Sequence, residues 1–286
     1  IPTITIIGLL LLTFAIGAAS HGSQRWISIG PFSLQPSELA KIGIILFLAA
    51  YISSKSREMR QWKKMVIPFL FAIPIIVIVG IENLSTCIIL LAISFIMIFV
   101  ATPLLVPFVV IGLIGVAGAG GLLLTQGYRM ERITVWLDPA ASEKGHQTIQ
   151  GLYAIGSGGL FGKGLGQSMQ KLGFLPEANN DMIFSVICEE LGLFGALCVL
   201  ALFFALIWRF MVIAVNAPDL YGSMIVVGVI AHIGIQVFIN IAVATNTIPN
   251  TGIPLPFISY GGSSLVFMLL EMGLVLSVSR YINVKK

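Results

Sequence analysis

Long apolar runs alternate with short polar breaks along this chain, and each run has a length suited to a membrane-spanning helix. A bilayer core takes roughly 20 apolar residues per helix. Eight segments meet or approach that length: 3–19, 38–54, 65–80, 84–101, 105–125, 182–208, 222–246 and 263–282. The one long polar interruption, 126–182, ends on a lone carboxylate, Asp181. The pattern predicts an all-α, polytopic membrane protein forming a single domain over 1–286, with 126–182 as the loop where chemistry belongs. No internal repeat is visible, which argues against a transporter built from two related halves.

Composition agrees with the pattern. Hydrophobic residues make up 57% of the chain and charged residues 10%, with a mean hydropathy of +1.01, so lipid is the main solvent. The 16 Lys and Arg against 12 acids fit cytoplasmic loops, and no nucleic-acid partner is expected. The 55–64 loop carries Lys55, Arg57, Arg60, Lys63 and Lys64 against Glu58, which places it in the cytoplasm by the positive-inside rule. By alternation, 20–37, 81–83, 126–182 and 247–262 fall outside. Cys87, Cys188 and Cys198 lie in apolar runs without metal-ligand spacing. The chain opens on Ile1, without Met or a charged leader, and is expected to lack its true N-terminus.

Polar residues at unusual places supply the candidates. Pro36, Ser37 and Glu38 suit a helix start with Ser37 as cap, and Lys41 lies one turn on at pairing distance from Glu38. A charge at bilayer depth costs about 2.5–3.5 kcal/mol, so this pair is expected to face a protein cavity. Gly156 to Gly166 reads GSGGLFGKGLG, which permits close ligand approach but matches neither a dinucleotide fingerprint nor a Walker loop; alone it reads as a flexible surface loop. Arg129 and Arg132, with Lys163 and Lys171, form a candidate cationic lining for a phosphorylated substrate. Asp181 precedes the apolar run MIFSVI and locally reads as a helix N-cap. Glu189 and Glu190 follow roughly 12 Å deeper on that helix, and Glu189 points closer to Asp181's side. His232, Gln236 and Asn240 recur every fourth residue, a polar seam suited to interhelical hydrogen bonds.

Residues 252–264, GIPLPFISYGGSS, closely resemble a signature of the SEDS family of bacterial cell-wall proteins, which includes FtsW, RodA and SpoVE. Arg25-Trp26 leading to Gln35-Pro36-Ser37-Glu38, Asp138-Pro139, Gly156 to Gly166, and Leu175 to Gly192 agree in order and spacing. The resemblance spans essentially the whole chain. It implies a fold usually built of ten helices, of which eight are present here and two N-terminal ones absent. It also implies a peptidoglycan glycosyltransferase that polymerises lipid II at the outer face of the bacterial cytoplasmic membrane, with Asp181 as its essential acid. Glu38 and Lys41 match positions in the family's central cavity, and Arg129, Arg132, Lys163, Lys171, Glu189, Ser259, Gly261 and Gly262 complete the candidate substrate site. A divalent cation, Mg²⁺ or Mn²⁺ held through the substrate pyrophosphate, is the implied cofactor. A class B penicillin-binding protein and other divisome or elongasome membrane proteins are the implied partners, beside lipid II itself.

Two phrases depart from the family pattern. Ile81-Glu82-Asn83-Leu84-Ser85-Thr86 stands where relatives often carry Gln-Pro-Asp-Leu-Gly-Thr, and Asn179-Asn180 replaces a His-Thr before the essential Asp. The ending 275–281 looks most like the division and sporulation branch. A lipid II flippase and a non-catalytic divisome scaffold remain the competing readings; in the scaffold, Asp181 would be a helix cap.

Overall fold

The computed structural model describes residues 18–20, 23–29, 32–57, 59, 61–102, 112, 127–142 and 145–282, excepting the side chains of 18–34, 62, 63, 81, 82 and 127–129. The expected spans at 3–19 and 105–125 lie outside the described residues, apart from 18, 19 and 112. Among those described, three short strands precede a run of helices: β1 (Ala18–Ser20), β2 (Ser23–Ile29), β3 (Phe32–Leu34), α1 (Pro36–Ser54), α2 (Trp62–Glu82), α3 (Leu84–Ala101), α4 (Gly127–Leu137), α5 (His146–Gly158), α6 (Ile183–Val215), α7 (Leu220–Ala244) and α8 (Gly262–Arg280).

The fold is all-α and membrane-spanning as expected, with three short strands added in and beside the 20–37 loop. β2 pairs antiparallel with β1, with Ala18 opposite Trp26, and with β3, with Ile27 opposite Leu34. Trp26, Ile27, Ile29 and Phe32 are aromatic or β-branched and favour extended backbone, in a stretch too short and polar for a span.

α1, α3, α6, α7 and α8 are long and apolar enough to cross a membrane, and Lys64–Gly80 forms a shorter apolar stretch within α2. This is a multi-pass membrane protein. α2 tolerates Pro68 and Pro74 in its interior, as membrane helices do when neighbouring groups satisfy the freed backbone. α1 starts two residues earlier than its apolar run, with Gln35 at the N-cap and Pro36 in the first turn. Ser37 therefore lies inside the helix and is not the cap; its hydroxyl is buried without a hydrogen-bond partner among the described residues. Asn83 caps α3 by accepting from the Thr86 N–H at 3.1 Å, a role Asp fills equally well.

The chain divides into two compact units: Ile1–Phe108 with Ile207–Ile235 and Gly261–Lys286, and Val109–Leu206 with Gln236–Tyr260. In the first, α1 packs on α2 and α3, burying Ile44, Ile45 and Leu48 together with Met65 and Ile75 of α2 and Leu90, Ile93 and Met97 of α3. Gly228 of α7 passes so close that a Cβ there would stand 2.6 Å from the Ile45 side chain.

The second unit is organised by a break in α6. Gly192 has φ +66° and ψ −165°, outside helical values and in the region that favours glycine. The opened turn accepts the glycine-rich segment after α5: Lys163 N–H donates to Glu189 O at 3.0 Å and Gly164 N–H to Glu190 O at 2.9 Å. In return, Leu193 N–H donates to Gly159 O at 2.9 Å and Phe194 N–H to Leu160 O at 3.0 Å. A Cβ on Gly162 would meet Glu190 O at 2.2 Å, and one on Gly192 would meet Gly162 N at 2.4 Å. The segment that reads as a flexible loop in sequence is thus bonded to the helix over its backbone.

Candidate active site

α6 begins at Ile183, and Met182 O accepts from the N–H groups of Ser185 at 3.0 Å and Val186 at 3.4 Å. Asp181 stands just before this turn with 7% of its surface exposed, and its Oδ1 has no hydrogen-bond partner among the described residues. That is not the arrangement of an N-cap, whose side-chain oxygen accepts from the first free N–H groups.

The backbone around Asp181 is held instead by the 252–260 segment and by α7. Asn240 Nδ2 donates to Asp181 O and to Ile253 O, both at 2.8 Å, and Gln236 Nε2 donates to Pro254 O at 3.0 Å. Ser259 Oγ donates to Asn180 O at 2.6 Å, and Tyr260 N–H to Asn179 O at 2.8 Å. Two members of the polar seam on α7 therefore anchor loops, where interhelical bonds were expected. Ser259 acts on the backbone beside Asp181 and is a positioning residue.

The Asp181 carboxyl lines a cavity of about 370 Å³ together with Glu131, Arg132, Val135 and Trp136 of α4, Gln147 and Thr148 of α5, and Asn246, Asn250 and Gly252. Arg132 Nη1 donates to Asn250 O and Trp136 Nε1 to Asn246 O, each at 3.0 Å, which fixes α4 against the turn after α7. Burial pushes the Asp181 carboxyl up from 3.8 to about 6, the Glu177 charge adds to the rise, and its own N–H, Gln147 and Arg132 oppose it. Near pH 7 the group is still mostly ionised, at about ten to one. Gln147 lies near enough to favour that charge, yet its Nε2 and Asp181 Oδ1 each lack a well-formed hydrogen bond. Buried donors and acceptors left open in this way are costly unless a ligand completes them. Gln147 and Glu131 carried no sequence signal beyond lying in the polar segment.

Three expected site residues lie elsewhere. Lys163 Nζ meets Glu189 Oε1 at 2.6 Å, and Glu189 also accepts from Ser168 Oγ at 2.5 Å and Gln170 N–H at 3.2 Å. Lys171 Nζ meets Glu190 Oε1 at 2.5 Å, and Glu190 Oε2 accepts from Gly166 N–H at 2.9 Å. Glu189 does not share the Asp181 cavity, and neither lysine lines it. The broken helix turns both carboxylates toward the glycine-rich segment, whose N–H groups and ammonium groups they satisfy. The Arg129 side chain lies outside the described residues. Of the three clamp cations whose side chains are described, Arg132 lines the cavity.

The first unit holds a second buried polar cluster. Lys41 Nζ pairs with Glu38 Oε1 at 2.8 Å as expected from their spacing, and Ser264 Oγ of α8 donates to Glu38 Oε2 at 3.3 Å. His232 Nδ1 lies 2.8 Å from Glu271 Oε2, with both residues 1% exposed. Glu271 escaped the sequence reading, although a lone acid inside an apolar run is a signal in itself. Gly261 and Gly262 belong to this unit, as the N-cap and first residue of α8. A Cβ on Gly262 would meet nothing, so no close approach explains that glycine.

The family model described as "Cell cycle protein", FtsW/RodA/SpoVE, matches residues 1–284. Stage V sporulation protein E of Bacillus subtilis (strain 168) is 47% identical over 278 residues, covering 95% of this chain and 75% of that protein. The probable peptidoglycan glycosyltransferase FtsW of Geobacter sp. (strain M18) is 37% identical over 277 residues, covering 95% and 76%. Among solved structures, a chain from a peptidoglycan synthase complex that coordinates polymerization and crosslinking aligns with a TM-score of 0.81 at 27% identity, covering 99% of this chain and 81% of that one. The rod shape determining protein RodA of Thermus thermophilus aligns with a TM-score of 0.70 at 28% identity, covering 99% and 77%. On the near-complete family match and on these identities, the chain belongs to the SEDS family of cell cycle proteins, on its FtsW/SpoVE branch.

Proposed function

We propose that this protein is a peptidoglycan glycosyltransferase that polymerises lipid II into β-1,4 glycan strands and releases undecaprenyl pyrophosphate. The carrying observation is Asp181: a buried, mostly ionised carboxylate with one oxygen unpartnered among the described residues, held at its backbone and open to a cavity. Its relatives named as peptidoglycan glycosyltransferases and its likeness to a peptidoglycan synthase chain support the same reading. The site lies on the outer face of the cytoplasmic membrane, consistent with the basic 55–64 loop on the other side.

In this reading Asp181 accepts the proton of the acceptor sugar hydroxyl as that oxygen attacks the anomeric carbon of the donor. The new carbon–oxygen bond forms while the bond to the pyrophosphate breaks, and attack from the opposite face inverts α to β. A carboxylate with a pKa near 6 suits this role, being ionised at working pH yet still basic. Arg132, in the same cavity, stabilises negative charge on the departing pyrophosphate. A divalent cation held through the substrate pyrophosphate needs few protein ligands; Glu131 is the cavity carboxylate that would face it, while Asp181 is kept for the proton. When bound, the cation supplies further neutralisation of the leaving group. A class B penicillin-binding protein that crosslinks the product is the partner this reading implies.

The test is glycan formation from purified lipid II by the full-length protein with and without its transpeptidase. Polymer that disappears in Asp181→Ala supports the proposal. Translocation of lipid II without any polymer would replace it by the flippase reading.

A further inference from the structure

The segment between α5 and the Asp181 turn carries its largest apolar side chains outward. Leu160, Phe161, Leu165 and Leu172 are 65%, 80%, 77% and 71% exposed. These residues are not on a loose loop, since the backbone from Gly159 to Gly164 is bonded to α6. The segment's charges are also cancelled. Lys163 and Lys171 are the only charged residues between 159 and 175, and they end on Glu189 and Glu190. A rigid apolar patch without net charge is unfavourable in water. It continues directly into Leu193, Phe194 and Leu197 of α6, which are 53%, 64% and 54% exposed on a helix that crosses the membrane.

The length of α6 fixes the level of this patch. Past the break at Gly192 its 23 remaining residues extend about 35 Å at 1.5 Å per residue, against a hydrocarbon core of about 30 Å. Trp208 is 62% exposed and is followed by Arg209, a pair typical of a membrane–water boundary. Back from Trp208 the unbroken helix runs 15 residues, about 23 Å, to Leu193, which brings Leu193 and Phe194 toward the far edge of the core. The segment is bonded to those two residues through Gly159 O and Leu160 O. The patch and the opposite membrane boundary therefore coincide.

We propose that residues 160–172 form an interfacial anchor seated in the headgroup–acyl boundary on the side of the Asp181 turn, where it binds phospholipid by apolar contact. Because its two lysines are already neutralised, zwitterionic lipid serves as well as anionic lipid. The lysine stems lie along the patch level while their ammonium groups stay with the glutamates.

The full-length protein reconstituted in phosphatidylcholine vesicles with acyl-brominated lipid tests this, using Leu165→Trp and reading the added tryptophan emission against the parent chain. The expected result is that the added emission falls at least about twofold, more with bromine near the headgroup than near the chain end, and changes little with aqueous acrylamide. The quenching is the same when phosphatidylglycerol is included. Leu172→Trp, at a second exposed position, gives the same reading should Leu165→Trp fail to fold. Emission quenched by acrylamide but not by bromolipid overturns the proposal. So does quenching seen only with phosphatidylglycerol, or shielding that arises only on adding the transpeptidase, which would make the patch a protein-docking surface.

Discussion

Replacing Asp181 by Asn separates catalysis from stability, because the two are expected to move in opposite directions. Asn keeps the shape of the side chain and removes the buried charge. Burial raises the Asp181 pKa from 3.8 to about 6 in the folded state, and that difference corresponds to roughly 3 kcal/mol. The sign follows from the direction of the shift. The folded protein holds the proton more tightly than the unfolded chain, so the stability linked to this proton is complete below pH 3.8 and lost as pH rises through about 6. Asp181→Asn should therefore unfold like the parent near pH 3.5 and be more stable by up to roughly 3 kcal/mol at pH 8. Glycan polymerisation at pH 8 should fall by about 10² to 10⁴, the size of a general-base contribution. The parent's own kcat/KM should drop on the acid side with an apparent pKa near 6. Thermal unfolding at the two pH values and gel analysis of the glycan product measure both arms. Near-parent polymerisation by the Asn variant would refute the base assignment. Lower stability of that variant at pH 8 would refute the argument that an unpaired buried charge sits at this position.

Lys163→Met should destabilise the protein by about 1–3 kcal/mol through the stranded Glu189 carboxylate, with KM for lipid II unchanged; a raised KM would restore the substrate-clamp role. Gly192→Ala should lower the melting temperature more than Gly234→Ala, whose Cβ would have its nearest neighbour at 3.7 Å; equal effects would mean the crossing with Gly162 is not tight. An impermeant thiol reagent applied to intact cells should label Ala141→Cys and not Ser56→Cys, both at exposed positions, and the reverse pattern would put the cavity in the cytoplasm. Ser168 would be a silent reporter, since it is 1% exposed and bonded to Glu189.

The apolar runs located α3 at 84–101 without error, because the run ends coincide with Asn83 and Thr102, where the helix stops. α6 exceeded its expected end at 208 by a full two turns: Arg209 stops a hydropathy run but not a helix, which ends at Val215. Asp181 was legible as the only carboxylate at the junction of the polar segment and the apolar run. Its company was not. Which cations face it depends on pairings such as Lys163 with Glu189, 26 residues apart, created by a helix break that no local rule signals at Gly192. Trp26, Ile27 and Ile29 did carry a β-preference, but beside so many helical spans an 18–34 meander is a weak signal.

The crossing of Gly162 with Gly192 has a mechanical consequence for the cavity. α5, the glycine-rich segment and the first turns of α6 are fastened into one piece, and that piece carries Gln147, Thr148 and Asp181. The opposing wall, with Glu131 and Arg132, belongs to α4 and is tied to residues 246–250. The cavity thus lies between two walls, each fastened by its own set of hydrogen bonds. Whatever loosens the Gly162–Gly192 crossing therefore moves Gln147, Thr148 and Asp181 together, as one wall and not as three separate side chains.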